Sequence, residues 1–182
     1  MVTVRQTDLA GLVVLEPKVF TDLRGTFVKT FHDTEFRKLG LPFETREEFF
    51  STSHQHVLRG MHFQVPPADH AKLVFCLTGA VLDVVLDLRR HSPTFGKTCA
   101  TELSETNRRS VFIPSGFAHG FLTLTEGALM LYKTSTVHNP ACDLGICWDS
   151  FGFAWPLAGA APILSQRDRE FPALAEFNTP FP

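Results

Sequence analysis

The chain has 182 residues, of which 44% are hydrophobic and 20% charged, and its formal net charge is −2. This length fits one domain with a single core, because domains of this size bury about two-thirds of their unfolded surface. A charge so close to zero provides no basic surface, which excludes charge-driven binding to nucleic acid or to an anionic membrane. The 18 Phe, against one Tyr and two Trp, favour packed sheets with aromatic inner faces.

The N-terminal residues lack a basic patch followed by an apolar stretch, and no apolar run approaches the roughly 20 residues that span a bilayer. We therefore predict a cytoplasmic protein. The four cysteines have no CxxC spacing, and Cys76 lies inside an apolar segment. This usage predicts reduced thiols and not disulfides or a zinc site.

From the N-terminus onward, short segments of alternating apolar and polar residues are separated by turn residues. This pattern favours an all-β sandwich or barrel over βαβ units. In the segment 80–89, Leu82, Val84 and Leu86 share one face, whereas Asp83 and Asp87 lie on the other. We expect the first face to pack and the second to mix apolar and charged groups. The predicted strands cover residues 12–16, 26–31, 46–53, 57–64, 72–78, 80–89, 97–103, 110–113, 120–124 and 128–135.

A short helix is predicted over residues 33–39, with Asp33 or Thr34 as its N-cap and Gly40 at its end. A second helix is predicted to begin near Glu105. Helices are therefore a minor part of the predicted fold.

The two ends of the chain differ from the middle. Residues 156–182 contain several prolines and few alternating positions, so we predict an irregular C-terminal tail packed on a single domain spanning residues 1–182. The N-terminal strands are candidates for pairing with a second chain, because an open sheet edge is usually covered or paired.

The first candidate cluster is Arg59, His62 and Gln64, with Lys72 a few residues further on. Under strict alternation His62 and Gln64 point one way and Arg59 the other. A bulge or twist at Gly60 would turn Arg59 to the same side, which is a common use of glycine in a strand. From these residues alone, a core or surface histidine is favoured over a catalytic one at His62, and Lys72 is interpreted as solvent-facing.

Three further positions are candidates for chemistry. The turn Pro114-Ser-Gly116 delivers His119 at the start of an apolar strand, where it would point into a barrel mouth. Tyr132 is the only tyrosine, so its hydroxyl could form a buried hydrogen bond or donate a proton. The polar segment 165–168 by itself indicates a solvated turn.

Together these segments resemble the dTDP-4-dehydrorhamnose 3,5-epimerase family. The resemblance runs in order from about residue 8 to about residue 170. It implies a cupin-type double-stranded β-helix, or jelly roll, that forms a homodimer by exchanging N-terminal strands. The segments that carry it are 22–27, 51–53, 57–64, 72–74, 83–89, 92–96, 103–107, 113–121, 132–134 and 146–148.

The resemblance also assigns roles to single residues. His62 matches the family's base, Asp168 its carboxylate partner, Tyr132 the proton donor on the opposite face, and Lys72 the group beside the C4 oxygen of the sugar. The positions expected to bind the substrate are Arg24, Arg59, His119, Arg167, Asp143, Gln64, Ser51 and Glu47.

The implied reaction is epimerisation at C3, C5 or both of a nucleoside-diphosphate 4-keto-6-deoxyhexose in deoxysugar and polysaccharide biosynthesis. A proton next to a ketone is too weak an acid for an imidazole unless the enolate is stabilised as it forms. A lysine at the carbonyl and a carboxylate on the imidazole suit this chemistry. Two alternatives are a 3,4-ketoisomerase of the same cupin group and a nucleotide-sugar binding protein without turnover.

No cofactor or metal is expected. Metal-binding cupins supply an HxH pair and a carboxylate before the histidine that follows the Pro-x-Gly turn, whereas this chain offers only His62 and His119, with His70 too far along. Two ligands are too few for a stable transition-metal site.

The chain departs from the family pattern at positions that surround the nucleotide in the family. Where the family usually has a Glu, this chain has Lys29. The Gln-Asp-Asn that is usual in the family is Glu-Glu-Phe at 47–49, and the usual aromatic pair is replaced by Val137 and His138. The Glu that follows appears as Asp143. These departures predict altered recognition of the nucleotide or the sugar, with the proton-transfer residues kept.

Overall fold

A computed structural model describes residues 2–182, and antiparallel strands dominate it. The all-β prediction with a few short helices is confirmed. The strands are β1 (Val2–Gln6), β2 (Val13–Pro17), β3 (Val19–Asp22), β4 (Gly25–Val28), β5 (Glu47–His54), β6 (Leu58–Gln64), β7 (Lys72–Thr78), β8 (Ala80–Asp87), β9 (Thr98–Ser104), β10 (Ser110–Ile113), β11 (Phe117–Thr123), β12 (Gly127–Thr134) and β13 (Asp143–Gly145). The helices are α1 (Asp33–Lys38), α2 (Gln166–Arg169) and a 3-10 turn at Leu174–Glu176.

The strands form two main sheets and a separate hairpin. One sheet has six strands in the order β1-β2-β10-β7-β12-β5, and the other has five in the order β13-β6-β11-β8-β9. Strands β3 and β4 pair only with each other. Buried side chains of both sheets, including Val74, Met130, Val85 and Phe121, meet in one core cluster. The two sheets therefore pack against each other around a shared interior.

The outer face of each sheet is also covered. Trp155 and Phe181 from the C-terminal segment pack with Leu86 on the five-stranded sheet. Phe36 and Phe43 from the segment around α1 pack with other apolar residues on the six-stranded sheet. Both faces of the central strands are consequently removed from water.

The other face of β8 mixes apolar and charged residues, as predicted, and it lies on the inside of the fold. Asp83 and Asp87 are only 1% and 0% exposed, on the same face as the buried Val81 and Val85. Asp87 accepts hydrogen bonds from Arg89, Ser92 and Thr94, which compensate for its burial. Alternation located this face correctly, but it could not reveal that the face looks into the barrel.

The structure also corrects several element boundaries. The N-cap of α1 is His32 and not Asp33 or Thr34, and the helix ends at Lys38. The prediction of a helix beginning near Glu105 is wrong. The chain makes a turn there, and the backbone N–H of Glu105 donates to the carbonyl of Gly79. The predictions missed β1, β3 and β13, and they missed α2 inside the segment expected to be irregular.

The predicted irregularity at Gly60 is confirmed. His62 pairs with His119 and Arg59 pairs with Phe121, so β6 uses one more residue than β11 over this stretch. Gly60 has a φ of +138°, and a Cβ on it would lie 2.5 Å from the Gly120 Cα. Only glycine fits this crossing, and the bulge turns Arg59 toward the side of the strand that carries His62.

Two other observations concern the whole of residues 2–182. None of the helices in this range is long and apolar enough to cross a membrane. The four cysteines are unpaired, as predicted, and Cys76 and Cys142 are buried.

The bulge generates a stability prediction. We expect Gly60→Ala to lower the free energy of unfolding by more than about 3 kcal/mol, because a left-handed φ and a backbone collision act together. Gly152→Ala is the matched control, since Gly152 has a φ of +76° but open space around its Cα. It should lose only about 1–2 kcal/mol. Urea unfolding measures both, and equal losses would contradict the steric part of the explanation.

Candidate active site

A cavity opens between the two sheets, and side chains from both of them line it. All predicted site residues except Arg24 and Asp168 lie on its wall. The six-stranded sheet contributes Glu47, Phe49, Ser51, Lys72, Tyr132 and Thr134, and the five-stranded sheet contributes Arg59, His62, Gln64, His119, Phe121 and Asp143. Connecting segments and α2 add His70, Thr136, His138 and Arg167.

His62 and Asp168 form a hydrogen-bonded pair at the wall of the cavity. The distance from His62 Nε2 to Asp168 Oδ1 is 2.9 Å. The other Asp168 oxygen accepts the backbone N–H of Gly60 at 3.1 Å, and the side chain of Ser165 caps the first turn of α2. The polar segment 165–168 is therefore a helical turn with a buried aspartate, and its interpretation as a solvated turn is wrong.

The environment keeps Asp168 ionised. Burial alone would raise the pKa of this carboxyl, but the hydrogen bond and charge of His62, together with the N–H of Gly60, bring the pKa below its ordinary value. An ionised carboxylate holds the proton on Nε2 of His62. This leaves Nδ1 as the basic nitrogen of a ring whose side chain is 31% exposed.

Lys72 places a cation next to His62. Its Nζ donates to the backbone carbonyl of His62 at 3.0 Å. Burial lowers the pKa of Lys72 to about 8, while the charges of Asp143 and Asp83 oppose this shift. The ammonium group is therefore poorly hydrated and available to negative charge that develops in the cavity.

Tyr132 lies on β12, in the sheet opposite to the one that carries His62. Its hydroxyl is 3.3 Å from the hydroxyl of Ser51, and its ring stacks on Phe49 with centroids 4.8 Å apart. Burial raises the pKa of Tyr132, so the phenol stays protonated. Tyr132 therefore lines the cavity, and its hydroxyl makes only one long hydrogen bond to another side chain.

His119 belongs to a second imidazole–carboxylate pair. Its Nε2 lies 2.7 Å from Asp83 Oδ2, and both side chains are almost fully buried. The predicted side chain therefore reaches the cavity, but sequence reasoning missed the carboxylate that orients it. An aspartate in an otherwise apolar strand was the available signal.

Charged groups gather at the mouth of the cavity. Arg167 lies 2.7 Å from Asp143, and the imidazole of His138 lies 3.1 Å from the same carboxylate. Glu47 accepts the backbone N–H of His138 at 2.6 Å. Arg59, which also lines the cavity, donates to the hydroxyl of Ser53 on β5 at 3.0 Å. Two guanidinium groups therefore flank the opening, which suits a phosphate-bearing ligand.

Gln64 is 3% exposed and links three segments of the wall. Its amide nitrogen donates to Ala68 O at 2.7 Å and to His70 Nδ1 at 3.0 Å. Its oxygen accepts the N–H of Asn139 at 2.6 Å. Gln64 was predicted to bind substrate, whereas its contacts within the chain are those of a group that positions neighbours.

Arg24 is the predicted residue that the chain does not bring to its own cavity. It lies in the turn between β3 and β4, its side chain is 90% exposed, and it pairs with Asp22 at 2.7 Å. The prediction that it binds substrate is therefore not met within one chain.

Several cavity residues were not predicted, because they join the site only through the tertiary fold. Phe49 is 45% exposed beside Tyr132 and stood out only as a departure from the family pattern. The others are Phe121, His70, Thr134, Thr136 and His138. Within residues 2–182, no group of three or more His, Cys, Asp or Glu side chains is arranged to hold a metal ion.

The family model described as dTDP-4-dehydrorhamnose 3,5-epimerase matches residues 6–176. The chain belongs to this family of isomerases. A relative named dTDP-4-dehydrorhamnose 3,5-epimerase from Methanothermobacter thermautotrophicus is 41% identical over 174 residues, which is 94% of each chain.

Solved structures of epimerases superimpose on this family member over nearly its whole length. The dTDP-6-deoxy-D-glucose-3,5-epimerase of Legionella pneumophila, in complex with dTDP-4-keto-L-rhamnose, is 34% identical with a TM-score of 0.93, covering 98% of this chain and 95% of that one. A 3′-monoepimerase from Streptomyces bikiniensis, in complex with dTDP-quinovose, is 33% identical with a TM-score of 0.88, covering 93% and 86%. The fold is the predicted cupin-type jelly roll.

The pKa of Lys72 predicts how stability changes with pH. With a folded pKa of about 8 and an ordinary value of 10.5, the unfolded chain holds more protons between these pH values. Stability contributed by this group must therefore rise with pH across that interval. We expect the stability of Lys72→Met relative to the native protein to fall by about 2 kcal/mol between pH 7 and pH 10.

Urea unfolding at the two pH values measures this difference. Lys97→Met is the control, because Lys97 is exposed outside the cavity and the variant should follow the native protein at both pH values. A pH-independent difference for Lys72→Met would contradict the depressed pKa.

Proposed function

We propose that this protein epimerises a dTDP-linked 4-keto-6-deoxyhexose at C3 and C5. The observation that carries the proposal is that His62 and Tyr132 line one cavity from opposite sheets. A base and an acid on opposite faces of a sugar invert a carbon centre. The names of the relatives support the dTDP-linked sugar, and the guanidinium groups of Arg59 and Arg167 at the opening suit a diphosphate.

The base side of the reaction uses His62 and Asp168. Nδ1 of His62 takes the proton from a carbon next to the C4 ketone, while Nε2–H remains bonded to Asp168. The carboxylate stabilises the imidazolium that forms and fixes the ring orientation. In this mechanism Asp168 acts through His62 and positions it.

The enolate needs a cation at the C4 oxygen. Lys72 lies against the backbone of His62, so its ammonium is close to the same part of the cavity as the base. Negative charge that moves from the breaking C–H bond to the C4 oxygen is stabilised by this ammonium in a site with little water. Because C3 and C5 both adjoin C4, one such arrangement serves both centres.

Reprotonation comes from the other sheet. Tyr132 donates its phenolic proton to the carbanion face that looks away from His62, which inverts the centre. Ser51, whose hydroxyl lies 3.3 Å from the phenol, is placed to assist the phenolate. After one turnover His62 holds an extra proton and Tyr132 lacks one, and exchange with solvent restores both.

The isotope experiment follows from this exchange. In D₂O, the native protein with dTDP-4-keto-6-deoxyglucose should place deuterium at C3 and C5 with inversion, as followed by NMR. His62→Ala should abolish exchange at both centres, whereas His91→Ala, which changes an exposed histidine outside the cavity, should not. Absence of exchange with every dTDP-, CDP- and GDP-linked 4-keto-6-deoxy sugar would refute the proposal.

The product also separates the alternatives. A keto group moved to C3 would identify a 3,4-ketoisomerase, and binding without exchange would identify a binding protein. For Tyr132→Phe we expect deuterium to enter with retention, because His62 can still exchange its proton and return it to the same face. Unchanged inversion in this variant would contradict the role of Tyr132.

We further propose a homodimer in which the β3–β4 hairpin reaches the partner's cavity. The hairpin pairs with neither main sheet, and it exposes Val19, Phe20, Leu23 and Phe27 by 41%, 48%, 108% and 61%. Apolar groups this exposed favour an interface, and a second copy brings Arg24 from the hairpin turn to the diphosphate end of a site.

Mixed dimers test this arrangement. A dimer with one Arg24→Ala chain and one His62→Ala chain, purified through two different tags, should keep about half of the native activity, because one site remains intact. Both homodimeric variants are the controls and should be strongly impaired. A mixed dimer as inactive as its parents would show that Arg24 serves its own chain.

A further inference from the structure

His70 carries a buried nitrogen that no group of the protein satisfies. Within residues 2–182, three buried side-chain polar atoms have no hydrogen-bond partner: His70 Nε2, Asp83 Oδ1 and Thr123 Oγ1. Of these three residues, only His70 lines the cavity. A buried polar group without a partner is unfavourable, so native proteins retain one where it serves another purpose.

The hydrogen-bond network fixes which nitrogen of His70 carries the proton. The backbone N–H of Asn139 donates to Gln64 Oε1 at 2.6 Å, which sets the orientation of the Gln64 amide. The amide nitrogen then faces His70 Nδ1 at 3.0 Å and donates to it. Nδ1 is therefore an acceptor, and the proton of the neutral ring lies on Nε2.

The ring is also kept neutral. Burial, reinforced by the charge of Lys72, lowers the pKa of His70 to about 3, although Asp143 opposes the shift. His119 and His138 are the other titratable groups that act on it. His70 is thus a single uncharged N–H donor at physiological pH.

The position of His70 indicates which part of a ligand it meets. It precedes Lys72 by two residues, and the Lys72 ammonium contacts the backbone of His62. His70 and Lys72 line the same cavity, and the charge of Lys72 acts on the His70 ring, so the donor lies near the ammonium that the proposed mechanism places at the C4 oxygen of the sugar. Charged guanidinium groups are available for the diphosphate, whereas an uncharged donor suits an uncharged hydroxyl oxygen.

We propose that His70 is a further substrate-binding residue, whose Nε2–H donates a hydrogen bond to a hydroxyl oxygen of the hexose. This inference rests on the proposed function, since it assumes a nucleotide sugar in the cavity. It adds a contact to the hexose that neither the base nor the acid supplies. His70 holds the sugar ring while protons move on either side of it.

The test compares a ligand with a sugar and one without. Calorimetry with dTDP-glucose and with dTDP should give a Kd for dTDP-glucose about tenfold weaker in His70→Leu, the usual loss for one neutral hydrogen bond, with the Kd for dTDP unchanged. His70→Gln should restore binding to within about twofold, because its amide can place an N–H near the former Nε2. His91→Leu, at an exposed histidine, is the matched control.

Several outcomes would overturn the inference. These are an unchanged Kd for dTDP-glucose in a folded His70→Leu protein, an equal loss for dTDP, and a His70→Gln variant as weak as His70→Leu. If His70→Leu does not fold, NMR of the native protein decides: the His70 Nε2–H resonance should shift with dTDP-glucose and not with dTDP, and a resonance unaffected by dTDP-glucose would refute the contact.

The two proposals fail in different ways. A native protein without solvent exchange on any nucleotide sugar counts against the proposed function. A native protein that epimerises normally, together with a His70→Leu variant of unchanged KM, counts against the role of His70 alone.

Discussion

The hydrogen bond between His62 and Asp168 joins positions 106 residues apart, and the rest of the site depends on it. Gly60 donates its backbone N–H to the same carboxylate, so the bulge that places Arg59 and the pair that orients His62 form one unit. Ser165 fixes the aspartate from the other side through the first turn of α2. The C-terminal segment is thus part of the site and not only a cover for the sheet.

The site lies in the interior between the two sheets, where burying a charged group is most unfavourable in free energy. The pairing of His119 with Asp83 and the contact of Lys72 with a carbonyl oxygen reduce that cost without removing it, as the lowered pKa of Lys72 shows. Because little water surrounds these groups, each of them interacts more strongly with charge that develops on a substrate. The residues that the proposed mechanism uses are therefore residues whose burial lowers the stability of the fold. Such a trade-off between stability and activity is common in enzymes.

Sequence reasoning succeeded where a rule acts locally. Alternation located most strands, and a glycine inside an alternating segment indicated the bulge at Gly60. It failed where the environment is set by distant parts of the chain. Alternation does not say which face of β8 is inside, so the burial of Asp83 and its pairing with His119 were missed. His70 was considered only as a metal ligand, and its place on the cavity wall depends on the tertiary fold. Arg24 shows a different limit, since one chain alone does not bring it to the cavity.

The position of Asp168 near the end of the described chain has a consequence for biosynthesis. A ribosome releases β6 and its histidine long before α2, so the nascent protein carries an imidazole without its carboxylate and a five-stranded sheet without Trp155 and Phe181 over it. Such an intermediate exposes apolar surface and is prone to aggregate until the segment that contains α2, Trp155 and Phe181 has been synthesised. The same C-terminal segment therefore supplies both the apolar cover of the five-stranded sheet and the carboxylate that pairs with His62.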